Sequence, residues 1–312
     1  MSGSVLLIAD ARTDAHASTG HPERPARRDA AASGVRDAAG DRLVEEMADA
    51  ATDADVTRIH DPDYLALLVE AEGRGGGWLD PDTYLVPGSL VAARLAAGAT
   101  MRAARAAQAA EAEVAFAAVR PPGHHAGRGR GTGFCLLNNV AIAVAGLRAE
   151  TGVRRVAIVD WDVHHGDGTQ AIFDADPELI YASTHQYPFY PGTGAAADDG
   201  GGVARNHPLR AGDGDEAFVA AWREELLPAI EAFKPEAILV SAGYDAHAAD
   251  PLAELTVTED GFEAVARALG ATAAGLGLAG VALTLEGGYD LEALRAAVAA
   301  SARGLIAGRE EA

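Results

Sequence analysis

The chain of 312 residues carries 46 acidic side chains against 25 basic ones, a formal net charge of −21, and 49% of its residues are hydrophobic. So acidic a surface repels a nucleic-acid backbone and excludes direct DNA or RNA binding as the main activity, while the apolar share is ample for a buried core. A single cysteine, Cys135, excludes an internal disulfide framework and a cysteine-built zinc site, and fits a reducing compartment.

No run approaches the ~18 apolar residues of a membrane span, and Val5 to Ala9 is too short for a signal sequence. The expectation is a soluble cytoplasmic protein with no membrane association. The basic residues are almost all arginine, Lys234 being the only lysine. Acidic residues spread along the whole chain fit a halophilic-type surface better than a local tail. Attraction of basic substrates is the other explanation.

In chain order, Val5 to Ala9 predicts a first strand, followed by the polar loop His21-Pro22-Glu23-Arg24-Pro25, either a surface turn or part of a pocket wall. Alanine-rich helical patterns come next over 30–50, 62–72 and 88–110, with Gly73 to Gly77 breaking the second. From residue 112 the pattern alternates strand and helix. Strands are predicted at 113–119, 156–159, 179–182, 237–240 and 281–285, and helices at 138–150, 167–175, 214–233, 258–275 and 290–306. This alternation implies one α/β domain over 1–312, with a mainly parallel central sheet covered by helices on both faces.

Each of these later strands runs into a polar cluster: Arg120 to His125, Asp160 to Asp167, Ser183-Thr184-His185, Ser241 to Asp245, and Glu286 to Asp290. Ligands bind at the carboxyl edge of such a sheet, so five sequence-distant clusters are expected to converge on one site. The densest is Asp160-Trp161-Asp162-Val163-His164-His165-Gly166-Asp167. Charge at the end of an apolar strand must be paired, hydrogen-bonded or bound to a cation. Asp160, Asp162 and His164 alternate, which places two carboxylates and an imidazole on one side of an extended chain. That is a catalytic metal site with an open position, unless the stretch is only a helix start with solvated charges.

Six motifs in order make the chain resemble the histone deacetylase family, with its deacetylase-like and acetylpolyamine amidohydrolases. They are Arg120–Ala126 (RPPGHHA), Gly133–Asn139 (GFCLLNN), Asp160–Thr169 (DWDVHHGDGT), Pro188–Gly194 (PFYPGTG), Ser241–His247 (SAGYDAH) and Leu285–Asp290 (LEGGYD). The resemblance implies an arginase/deacetylase α/β fold and metal-dependent hydrolysis of an N-acetyl amide. Its metal ligands would be Asp162, His164 and Asp245, a set that accepts zinc and also admits ferrous iron. His125 would be the general base and acid and His124 its electrostatic partner, oriented by Asp167 and Asp160 respectively. Tyr289 would stabilise the oxyanion.

By the same resemblance, Gly133, Phe134 and Tyr190 would form a narrow tunnel for an aliphatic chain, with Phe134 and Tyr190 as facing walls and Leu252 at the rim. Potassium would bind through Asp160, Asp162, His164, Ser183 and Thr184. The implied substrate is an acetylated protein or peptide. Leucine at the rim argues for lysine over polyamine, while Glu254 nearby keeps an acetylpolyamine or other small amide open. A silent acyl-lysine binding module and a dinuclear ureohydrolase are more remote, and homo-oligomerisation is left open. His60, His185, His207, His247 and Cys135 are given no role.

Overall fold

Apolar runs rich in valine, leucine, isoleucine and alanine become strands, and the longer alanine-rich segments become the helices that cover them. The computed structural model describes residues 3–312. Its strands are β1 (Val5–Ala9), β2 (Leu43–Glu46), β3 (Gly77–Trp78), β4 (Tyr84–Leu85), β5 (Val114–Ala118), β6 (Val156–Asp160), β7 (Leu179–Gln186), β8 (Ala204–Leu209), β9 (Ala237–Ala242) and β10 (Val281–Leu285). The helices are α1 (Ala26–Ala39), α2 (Asp53–Val56), α3 (Pro62–Gly73), α4 (Ser89–Gln108), α5 (Asn139–Thr151), α6 (Asp167–Phe173), α7 (Asp215–Ala220), α8 (Leu227–Phe233), α9 (Glu259–Gly275) and α10 (Leu291–Glu311).

Eight strands form one sheet in the order β2-β1-β5-β10-β9-β6-β7-β8, and every pairing in it is parallel. The expected single α/β domain with helices on both faces is what the chain adopts. Side chains alternate between two cores, as the two-residue period of a strand requires. Leu6 and Ile8 of β1 join α4 and α5 on one face, while Val5 and Leu7 join α1, α9 and α10 on the other.

The structure corrects several of the expected elements. The helix expected over 30–50 stops at Ala39, where Gly40 takes φ +53°, and the chain re-enters the sheet as β2. Alanine content masks that glycine stop in the sequence. Edge strand β8 is likewise unmarked, because its sequence ARNHPL is polar and holds a proline, which edge strands tolerate. Strand β7 runs on to Gln186, so Ser183 and Thr184 lie within it and not after it; Ser183 pairs in register with Asp160. The helix expected over 214–233 is present, but six residues, Ala221–Leu226, form a π-helical turn between α7 and α8. Among the described residues no helix is long and apolar enough to cross a membrane.

Candidate active site

The loops after β5, β6, β9 and β10 meet at the carboxyl edge of the sheet. Asp160 is the last residue of β6 and fully buried. Its Oδ2 lies 3.1 Å from His124 Nδ1 and accepts the Tyr181 hydroxyl at 2.9 Å, while its Oδ1 accepts the Asp162 N–H at 3.2 Å. Asp160 is thus turned towards His124, and the carboxylate that joins Asp162 and His164 comes from another strand. That partner is Asp245, beyond β9. One ligand atom from each of Asp162, His164 and Asp245 falls within 4.8 Å of the others.

The donor set fits a divalent cation. His164 Nδ1 lies 3.1 Å from Asp162 Oδ1 and 3.2 Å from Asp245 Oδ2. Asp245 Oδ2 is buried and makes no hydrogen bond, whereas Asp245 Oδ1 accepts the Val163 N–H at 3.0 Å and Asp162 Oδ2 accepts the Gly287 N–H at 2.7 Å. Burial and the neighbouring Asp162 push the Asp245 carboxyl up. Burial opposes charge on His164 too, but the two carboxylates carry its pKa up to about 10. Two buried carboxylates converging on one nitrogen call for positive charge between them, and a metal supplies more of it than a proton.

The two adjacent histidines are pushed in opposite directions. For His124, burial opposes protonation, but Asp160 and Asp162 outweigh it and hold the imidazole well above its ordinary value. For His125, burial and then the neighbouring His124 lower the pKa to about 4. His125 Nδ1 lies 2.8 Å from Asp167 Oδ1, and Asp167 Oδ2 accepts Arg130 Nη2 at 2.7 Å. The surroundings thus favour a proton on His124 and oppose one on His125, a division of roles suited to acid–base chemistry.

A cavity of about 230 Å³ is lined by His124, His125, Asp162, His164 and Tyr289 together with Gly133, Phe134, Tyr190 and Leu252. At Gly133, with φ +56°, a Cβ would collide with the His125 ring. Phe134 is held in the left-handed region at φ +69°, strained for a non-glycine residue, by a hydrogen bond from its N–H to Thr83 Oγ1 at 3.0 Å. Its ring meets Tyr289 edge-on at 5.9 Å and His21 at 4.6 Å, so the His-Pro-Glu-Arg-Pro loop buttresses this wall. Tyr190 packs edge-on against His125 at 5.2 Å and His164 at 5.9 Å. Both rings line the cavity, but their ring partners differ, and it is Phe189 that stacks on His164 at 5.5 Å.

Phe189, Asp82, Pro122 and Gly287 also line the cavity and were not singled out from the sequence. Phe189 stands beside Tyr190 in one motif, so the signal was present. Glu254 does not line the cavity; its carboxylate accepts Gln186 Nε2 at 3.3 Å. Ser183 Oγ pairs with His185 Nδ1 at 2.9 Å, and Thr184 Oγ1 accepts the Trp222 indole N–H at 3.1 Å. Both hydroxyls thus already have protein partners.

Sequence reasoning also passed over the groups that hold the site. Arg27, fully buried, lies with its guanidinium 4.6 Å from the Tyr289 ring centroid and donates to the Glu286 and Gly288 carbonyls. Glu23 is buried between Arg27 and Arg120. Glu286 Oε2 accepts the N–H groups of Gly123 at 2.6 Å and His124 at 3.2 Å, and its Oε1 accepts the Ser241 hydroxyl at 3.1 Å.

Known proteins match the chain in sequence and in fold. A family model described as the histone deacetylase domain matches residues 21–305. A probable deacetylase of Methanothermobacter thermautotrophicus is 39% identical over 96% of this chain and 90% of its own length. The human polyamine deacetylase HDAC10 is 36% identical over 91% of this chain and 44% of its own length. The crystal structure of the HDA15 HD domain superposes with a TM-score of 0.91 at 34% identity, covering 99% of this chain and 92% of that one. With so much of the chain matched in sequence and in shape, the protein belongs to the histone deacetylase family.

Proposed function

We propose that the chain is a metal-dependent amidohydrolase that removes the acetyl group from acetyl-lysine in proteins or peptides. The observation that carries this reading is the pair His124 and His125, each with its Nδ1 on its own carboxylate, Asp160 and Asp167, on the wall of a cavity shared with Asp162, His164 and Tyr289. Asp162, His164 and Asp245 would hold the ion. When bound, zinc or ferrous iron would polarise the acetyl carbonyl and lower the pKa of the attacking water. His125, neutral and with Nδ1 committed to Asp167, takes a proton at Nε2 and delivers it to the leaving amine. His124, whose protonated form Asp160 and Asp162 favour against the cost of burial, stabilises negative charge developing beside it. The Tyr289 hydroxyl donates to the oxyanion. Phe134, Phe189 and Tyr190 exclude water along an aliphatic chain. Asp160, Asp162, His164, Ser183 and Thr184 are the proposed potassium site, and the single cysteine supports a reducing, cytoplasmic setting.

A second reading, hydrolysis of an acetylpolyamine, is favoured by the net charge of −21 and by the likeness to a relative named as a polyamine deacetylase. Leu252 on the cavity wall supports the first reading. The deciding experiment compares kcat/KM of the zinc-loaded chain on an acetyl-lysine peptide and on N-acetylputrescine in high potassium chloride. A ratio well above one supports lysine, and a ratio well below one replaces it with the polyamine reading. Turnover that survives His125→Ala would remove the assigned acid–base role.

A further inference from the structure

The backbone carrying Tyr289 is held from several directions. Gly287 donates its N–H to Asp162 and accepts the Tyr244 N–H at 3.1 Å, and Arg27 donates to the carbonyls on either side of Gly287. The remaining hold is Asp250. Its Oδ2 accepts the Tyr289 N–H at 2.6 Å and the Asp290 N–H at 3.4 Å, while its Oδ1 accepts the Leu252 N–H at 3.0 Å. Asp250 is only 8% exposed, and its own N–H donates to the His247 carbonyl at 2.8 Å. Asp162, Tyr244 and Arg27 stand on other segments; Asp250 is the holding group two residues from the cavity-wall Leu252.

The chemistry demands a carboxylate at this position. Three backbone donors converge on two oxygens, and an amide would turn an N–H₂ group towards one of them. The bonds from backbone N–H groups offset only part of the cost of burying this carboxyl, which burial and then Asp245 push up to about 7.

We propose that Asp250 is a positioning residue that ties the Tyr289 backbone to the rim turn bearing Leu252, so that this one side chain fixes the aim of the phenol. The proposal rests on the reading of Tyr289 as the oxyanion donor. A change at this carboxylate therefore alters turnover more than substrate capture.

The test uses the full zinc-loaded chain as wild type, Asp250→Asn, Asp250→Glu, Tyr289→Phe and the double variant Asp250→Asn/Tyr289→Phe. Steady-state kcat and KM are measured on an acetyl-lysine peptide, and amide hydrogen exchange is followed over residues 286–292 without substrate. Asp250→Asn is expected to lower kcat by about tenfold to about a hundredfold with KM changed less than about twofold, as a misaimed group does. The double variant is expected within about twofold of Tyr289→Phe, because Asp250 acts through Tyr289. Exchange in 286–292 should quicken while the melting temperature of the whole chain holds. Asp250→Glu, which keeps the charge but displaces it by a methylene, should behave alike and serves where the asparagine variant folds poorly. Losses that multiply in the double variant, or exchange at the wild-type rate, overturn the proposal. A wild-type chain that turns over no acetyl-lysine peptide overturns the functional reading instead, and the exchange rates still decide the role of Asp250.

Discussion

His125 and Asp167 are joined by a 2.8 Å hydrogen bond at Nδ1, which leaves Nε2 as the nitrogen available to the cavity. The carboxylate fixes the tautomer as well as the direction of the ring. In Asp167→Asn the amide can donate to Nδ1 and stabilise the opposite tautomer. A fall in kcat of about a hundredfold to about ten-thousandfold is expected, with KM nearly unchanged. Arg130, on the other oxygen of Asp167, is 64% exposed at its side chain, and such pairs contribute little. Arg130→Gln should cost less than about threefold, an effect that disappears in molar salt. Steady-state kinetics on the two variants would reveal the reverse order if the surface arginine, and not the carboxylate, governs the ring.

Removal of the metal should destabilise the fold as well as stop turnover. Asp162 and Asp245 are buried at 1% exposure each, and their charges face one another across His164 Nδ1. An ion bound there stabilises the folded chain by mass action. Elemental analysis should find one equivalent of divalent metal in the wild type and little in Asp245→Asn. Chelation should lower the melting temperature by at least about 3 °C, and one equivalent of zinc should restore it. Identical melting curves before and after chelation would refute the assignment of these three side chains.

His60 offers a pH test away from the site. It is 1% exposed, its Nε2 accepts the Asn138 N–H at 2.9 Å, and its Nδ1 lies 3.3 Å from the Arg128 carbonyl, so the structure needs the neutral ring. Burial lowers its pKa from 6.5 to about 4. The unfolded chain therefore binds this proton first as pH falls, and the stability His60 confers is present above about pH 6.5 and lost on the way down to pH 4. Between pH 7 and pH 5 the loss from this one group is roughly 2 kcal/mol. Denaturant unfolding of wild type and His60→Gln should show a stability difference that shrinks by about that amount over the same interval. A difference constant with pH would mean that His60 titrates alike in both states.

The sequence was readable where chemistry interrupts an apolar strand. Asp162, His164, Asp245 and the His124–His125 pair stand at the ends of buried runs, where polar residues need a reason, and the parallel sheet brings those ends together. The alternation of Asp160, Asp162 and His164 misled locally, because extended geometry stops at Asp160 and the second carboxylate of the cluster arrives from the loop after β9. Arg27, Glu286 and Asp250 could not be recognised by spacing. Most of their bonds run to backbone groups, 261 residues away for the Arg27 bond to Gly288 and 163 for the Glu286 bond to Gly123, and a backbone acceptor or donor leaves no mark in the residue type. The edge strands β2 and β8 were missed for a related reason: half-exposed and polar, they lack the apolar run that betrays an inner strand.

The position of β10 in the sheet orders events during synthesis. It is the last strand of the eight, yet it lies between β5 and β9, with Val281 paired to Val114 and Ala282 to Leu239. Until it has left the ribosome, β5 and β9 have no neighbour between them and the β1–β5 and β9–β6 halves of the sheet stand as separate edges. Tyr289 comes four residues after β10, so the proposed oxyanion donor arrives with the strand that closes the gap. A chain cut short before residue 281 thus bears all the proposed metal-binding and acid–base residues on two unjoined half-sheets, whose open edges are exposed to chaperones or proteolysis.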